Sequence, residues 1–196
     1  MFFFQPLNFN QMPVGNIIRR DKGTDDVGGM IQGAFILPSA FAAAWPKEIH
    51  RDMANNPTRI IAGPTLKTGE TFGNLVFDLD SGSMKGSRKG ASGNTKHKHE
   101  GEMSFKGIEN VTLNELDKTK EGALILMIDD RGRRWLAGTS CRPLNVEYDV
   151  DFGKSAKTDI QKTMVKFNEE GYRHNLLEID PSVVLPFLPS PVNLCV

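Results

Sequence analysis

Residues 123–168 read ALILMIDDRGRRWLAGTSCRPLNVEYDVDFGKSAKTDIQKTMVKFN, and this stretch decides the fold. ALILMID is short and almost wholly apolar, the pattern of a strand buried on both faces. Asp130, Arg131 and Gly132 supply a turn, and RRWLAG returns with Trp135 as its anchor. A second pair follows. Leu144, Val146, Tyr148, Val150 and Phe152 alternate with Asn145, Glu147, Asp149 and Asp151, a period of two. GKSAKT turns the chain, and DIQKTMVKF returns with Thr163, Val165 and Phe167 on one face. Lys162 and Lys166 on the other face are expected near the acids of the 145–151 strand. Two consecutive hairpins therefore form the centre. Acids spaced by two along one strand mark a solvated face rather than an acid–base pair.

Further strands are expected at 30–37, 58–63, 71–80, 97–106 and 171–179. Ser39 is positioned to cap a short helix, AFAAAW. Thr112 and Glu115 form a capping box for a helix over 113–121, ended by Gly122. Residues 81–96, SGSMKGSRKGASGNTK, have four glycines, four serines and no acid. They read as a long flexible loop joining strands 71–80 and 97–106, with Lys85, Arg88 and Lys89 giving it positive charge. The spacing is not that of a phosphate-binding loop.

The ends differ from the centre. Residues 1–29 carry Phe2, Phe3, Phe4, Leu7 and Phe9 among prolines, asparagines and glycines, which suits an extended arm. The tail 180–196 has four prolines and the apolar Val184, Leu185, Phe187 and Leu188, so it runs extended and needs a surface to cover. That surface is its own domain or a neighbour. The expected organisation is arm 1–29, a β domain 30–179, and arm 180–196.

Composition narrows the function. The 24 basic and 24 acidic side chains cancel, without the basic excess usual in a nucleic-acid-binding domain. Two cysteines, Cys141 and Cys195, form no framework or zinc pattern and fit reduced thiols in a cytosolic compartment. The N-terminus lacks the features of a signal peptide, and no apolar run is long enough to span a membrane. His97 and His99 share a strand face and are weak candidates for a metal pair, with no third ligand nearby. No nucleophile, base and orienting group stand together, so no enzyme and no cofactor are expected.

These elements describe a mainly β protein: an antiparallel β-sandwich or partly closed β-barrel with one short flanking helix. The arrangement, including the second half from TLNELDKTKEGALILMIDDRGRRWLAG onward, resembles the tail-tube proteins of tailed bacteriophages and their relatives in secretion and contractile machines. In that family one helix flanks a sandwich, and a long loop and terminal arms engage adjacent rings. The corresponding segments here are 81–96, 113–121, 1–29 and 180–196. The resemblance implies a structural virion protein of the tail or neck, made in the host cytoplasm. It would form a homo-oligomeric ring, expected as a hexamer, beside other tail or neck proteins. DNA would pass in the lumen, and no membrane would be involved. The expected inter-subunit contacts are Phe2, Phe3, Phe4, Lys85, Arg88, Lys89, Val184, Leu185, Phe187 and Leu188. Two other readings stand beside it: a nucleic-acid-binding β-barrel using loop 81–96, and a metal-binding module built on His97 and His99.

Overall fold

In a computed structural model of the chain, which describes residues 30–78, 81–90, 95–129, 131–153 and 161–187, the apolar run of the sequence becomes β7 (Leu124–Asp129). It lies between β8 (Arg134–Ala137) and β1 (Met30–Ile36) in a seven-stranded sheet. The sheet is completed by β4 (Gly73–Leu75) beside β1. On the other side lie β11 (Leu177–Ile179), β3 (Asn56–Ile60) and β2 (Arg51–Asp52). The second sheet has four strands in the order β5 (Ser83–Lys89), β6 (Lys96–Lys106), β10 (Lys162–Tyr172) and β9 (Asn145–Asp151). The described strand pairs are antiparallel except β11 with β3, and the isolated bridge between Phe72 and Phe187 is also parallel. Among the described residues the two sheets stay distinct and no barrel closes. The fold is mainly β, and the described residues hold one short helix, α1 (Asn110–Asp117).

The two hydrophobic clusters explain the two sequence patterns. Phe35, Ile125 and Met127 of the large sheet meet Met103, Phe105, Val165 and Phe167 of the small one, with Leu116 of α1 at the side. On the far face of the large sheet, Ala34, Ile36, Leu124, Leu126 and Leu136 are covered by Phe41, Trp45, Phe72, Val183 and Leu185. β7 is thus buried on both faces and has no polar positions to spare. β9 has one face in solvent and alternates.

Several expectations fail for physical reasons. The segment 81–96 is not a loop, because Ser83–Lys89 is β5, paired with β6 throughout. Gly82 and Gly86 admit close packing: a Cβ on Gly86 would lie 2.9 Å from Asn175 Cγ, and one on Gly82 would lie 2.6 Å from Phe77 Cζ. Residues 91–94 lie outside the described residues. The strand expected over 71–80 shrinks to β4, which pairs with β1 and not with 97–106.

The helix expected after Ser39 is only a 3-10 turn at Pro38–Ala40. There the backbone bonds leave the segment: Ala42 N–H donates to Thr65 O, and Lys67 N–H donates to Ala40 O. Helix α1 starts before the expected capping box. Thr112 is buried inside it rather than capping it, and a 3-10 turn carries the chain to Gly122 at φ +89°. The final strand is shorter than expected: Gly171 and Tyr172 belong to β10, and only Leu177–Ile179 forms β11.

The tail is no free arm as far as it is described. Val183 and Leu185 are buried on their own sheet. Arg134 donates to the Val183 carbonyl at 3.0 Å and also to the Asp180 carbonyl, while Arg59 pairs with the Asp180 carboxylate at 2.8 Å. Phe72 N–H donates to Pro186 O at 2.8 Å. The segment to Phe187 therefore belongs to the domain, which moves the boundary from the expected 179.

Candidate functional site

The small sheet ends in two open strands of opposite charge. Among the described residues, β5 and β9 each have a neighbour on one side only. β5, SMKGSRK, carries Lys85, Arg88 and Lys89 and no acid; all three are exposed. β9, NVEYDVD, carries Glu147, Asp149 and Asp151 and no base, again all exposed. Pairing explains why the charges sit there. Lys85 stands opposite Glu100 on β6. Lys166 on β10 stands between Glu102 and Glu147, and Lys162 stands opposite Asp151. Each interior strand offers charges of both signs to its neighbours. The two outer strands offer one sign each outward.

The ion pairs here are half-buried or exposed. Lys98 bonds Glu100 and holds that carboxyl below its ordinary range. Lys89 lies 3.9 Å from Glu170. Such pairs set register more than stability. Next to the acidic strand, Phe152 is 68% exposed, although its period placed it with the inward residues of β9. Behind β9, Tyr148 donates its hydroxyl to Asp117 at 2.8 Å and ties the strand to the end of α1.

The other expected contact residues divide. Lys85, Arg88 and Lys89 lie on the open strand. Val184 is 85% exposed, and Phe187 packs against the Phe72 ring at 5.7 Å. Leu185 is buried in its own core and cannot touch a neighbour. Phe2, Phe3, Phe4 and Leu188 lie outside the described residues.

Of the histidine pair, His97 keeps its buried Nδ1 without a partner, whereas the His99 ring is fully engaged. His99 is fully buried, and both ring nitrogens face backbone groups: Gly138 N–H at 3.2 Å from Nδ1 and His174 O at 3.2 Å from Nε2. It has no lone pair to offer a metal. Burial, only partly offset by the His174 carbonyl, pushes its pKa down to about 4. No group of three or more metal-ligating side chains gathers among the described residues.

Two constellations escape sequence reading. His99 stacks on Tyr172 at 4.0 Å and lies 6.0 Å from His174, residues more than 70 positions away in the chain. Asp129 closes the β7–β8 turn by accepting from Arg131 N–H, Arg133 N–H, Arg133 Nε and Trp135 Nε1, at 2.8–3.1 Å. The only signal for the second is an acid at the end of an apolar strand before a glycine turn.

No described helix is long and apolar enough to cross a membrane. Comparison with known protein families, characterised proteins and solved structures yields no match to this chain.

Proposed function

We propose that the protein is a structural subunit that joins copies of itself head to tail, the β5 edge of one against the β9 edge of the next. The observation that carries this reading is the opposite charge of the two open strands of one sheet. An unpaired strand is a template for another chain, and like charges on it discourage indiscriminate pairing. Here two β5 edges repel, two β9 edges repel, and only β5 with β9 attracts. A contact between two different patches is heterologous, and it generates a ring where the rotation closes and a filament where it does not. Net charge of zero suits such packing, since the copies have little overall repulsion to overcome. Exposed Phe152 beside the acidic edge offers an aromatic anchor for the joint.

Together with the sandwich and its flanking helix, this favours the tail or neck of a tailed bacteriophage as the place of work, in a ring or tube. Light scattering coupled to sizing, with negative-stain imaging, tests self-assembly on the full-length protein. Rings, discs or tubes are expected at low salt, shifting towards smaller species as salt screens the edges. A 21.7 kDa monomer at every concentration and salt would contradict the proposal.

A further inference from the structure

His99 joins three parts of the fold by its side chain, beside a second link in which the Tyr172 hydroxyl donates to Arg142 O and Arg142 donates to Glu170 O. It projects from β6 of the small sheet. Gly138, which donates to Nδ1, follows β8 of the large sheet, and His174, whose carbonyl meets Nε2, lies in the connection from β10 to β11. A donor at Nδ1 makes that nitrogen the acceptor, so Nε2 carries the proton and donates to the carbonyl. The ring is the neutral tautomer, held flat against Tyr172 with an interplanar angle of 9°.

The surroundings offer little to a charged ring. On its own strand the nearest titratable neighbour on the same face is His97. On β5, Gly86 stands opposite, and Arg88 stands opposite His97. On β10, Glu169 stands opposite, and Tyr172 is stacked. The β10–β11 connection brings Arg173 and His174. Arg51 of β2 bears on His174, and Arg142, after β8, bears on Tyr172. The charges that bear on the His99 ring itself are those of His97 and His174, both of which disfavour a charged ring.

We propose that His99 is a proton-operated latch between the two sheets. Neutral, it ties β6 to the end of β8. Protonated, it turns the Nδ1 acceptor into a donor facing the Gly138 N–H, and that end of the sandwich opens. The latch belongs to the single chain and is independent of the assembly reading.

The sign follows from linkage. In the closed form burial lowers the histidine pKa from 6.5 to about 4; in the open form the ring returns to its ordinary value. The contribution to closure is complete above about pH 6.5. It falls by up to about tenfold in the closed-to-open ratio per pH unit below that, and levels off near pH 4. His174, also lowered by burial, acts in the same direction, so the test must separate the two.

The test is NMR of the full-length protein: the tautomer of His99, and hydrogen exchange of the Gly138 amide corrected for intrinsic chemistry. His99 should be the Nε2–H tautomer at pH 7. Opening at Gly138 should rise about tenfold or more between pH 7 and pH 5. His99→Gln should remove that rise, and the double variant His97→Gln/His174→Gln should keep it. Flat protection in the native chain would overturn the proposal, as would the same rise in His99→Gln or a charged His99 at pH 7. Should His99→Gln fail to fold, the double variant decides: a lost rise there overturns the latch.

Discussion

Gly101→Ala is expected to cost about 3 kcal/mol of folding stability, or to prevent folding, although it adds one methyl group. Gly101 sits in mid-β6 with β5 on one side and β10 on the other, opposite Met84 and Phe167. A Cβ there would lie far inside contact distance of the Ser83 carbonyl oxygen, and 2.8 Å from Phe167 Cε2. Neither neighbour can yield cheaply. The carbonyl belongs to a paired strand, and the Phe167 ring is buried in the core between the sheets. The same crowding predicts a coupling. Phe167→Leu alone should destabilise by leaving a cavity, but in the double variant the smaller side chain relieves part of the clash. The two costs should therefore add to less than their sum. Urea unfolding of the four proteins of this cycle provides the measurement. A cost below about 1 kcal/mol for Gly101→Ala would mean that β6 and β10 are not packed as described.

Asp129→Ala is expected to cost about 3 kcal/mol, because one buried carboxylate accepts four hydrogen bonds and closes the central hairpin. Its removal strands Trp135 Nε1 and the two amides of the turn, while the Arg133 guanidinium, 5.4 Å from the Trp135 ring, loses its anchor. Asp129→Asn keeps the shape but not the chemistry. The amide NH2 must face either the Arg131 and Arg133 amides or Arg133 Nε and Trp135 Nε1, donor against donor, so asparagine should recover only part of the loss. The pH dependence has a definite sign. Burial alone would raise the Asp129 pKa, but the donated bonds outweigh it and hold the carboxyl below its ordinary 3.8. Its contribution is therefore present above that value and is lost as the pH falls through the lower, folded one. Acid unfolding followed by far-UV circular dichroism should show that loss in the native chain and not in Asp129→Asn.

What sequence reading recovers and what it loses have separate causes. β7 through β10 are legible because each pattern reports a burial state: LILMID for two covered faces, NVEYDVD for one. The Lys162–Asp151 and Lys166–Glu147 register follows from the same period. β5 is not legible, because Gly82 and Gly86 have the composition of a loop. Their real cause is the approach of Phe77 and Asn175, side chains from elsewhere in the chain. For the same reason the role of Lys85, Arg88 and Lys89 changes from loop charge to edge charge. The tail shows the opposite case. Val183 and Leu185 plainly need a surface, but only the fold shows that Phe72 and the far face of the large sheet provide it. The His99 cluster has no local mark at all. Its strand face is legible, but the groups that fix the ring, Gly138 and His174, arrive by topology.

The most direct test of edge-to-edge assembly is a mixing experiment with two charge-reversed full-length variants. One carries Lys85→Glu, Arg88→Glu and Lys89→Glu, so both its edges are acidic. The other carries Glu147→Lys, Asp149→Lys and Asp151→Lys, so both its edges are basic. Sedimentation velocity should show each alone as a small species and the equimolar mixture as a large assembly, since every β5–β9 joint between unlike variants is complementary. Equal assembly of either variant alone, or no gain on mixing where the native chain assembles, would contradict the β5–β9 joint.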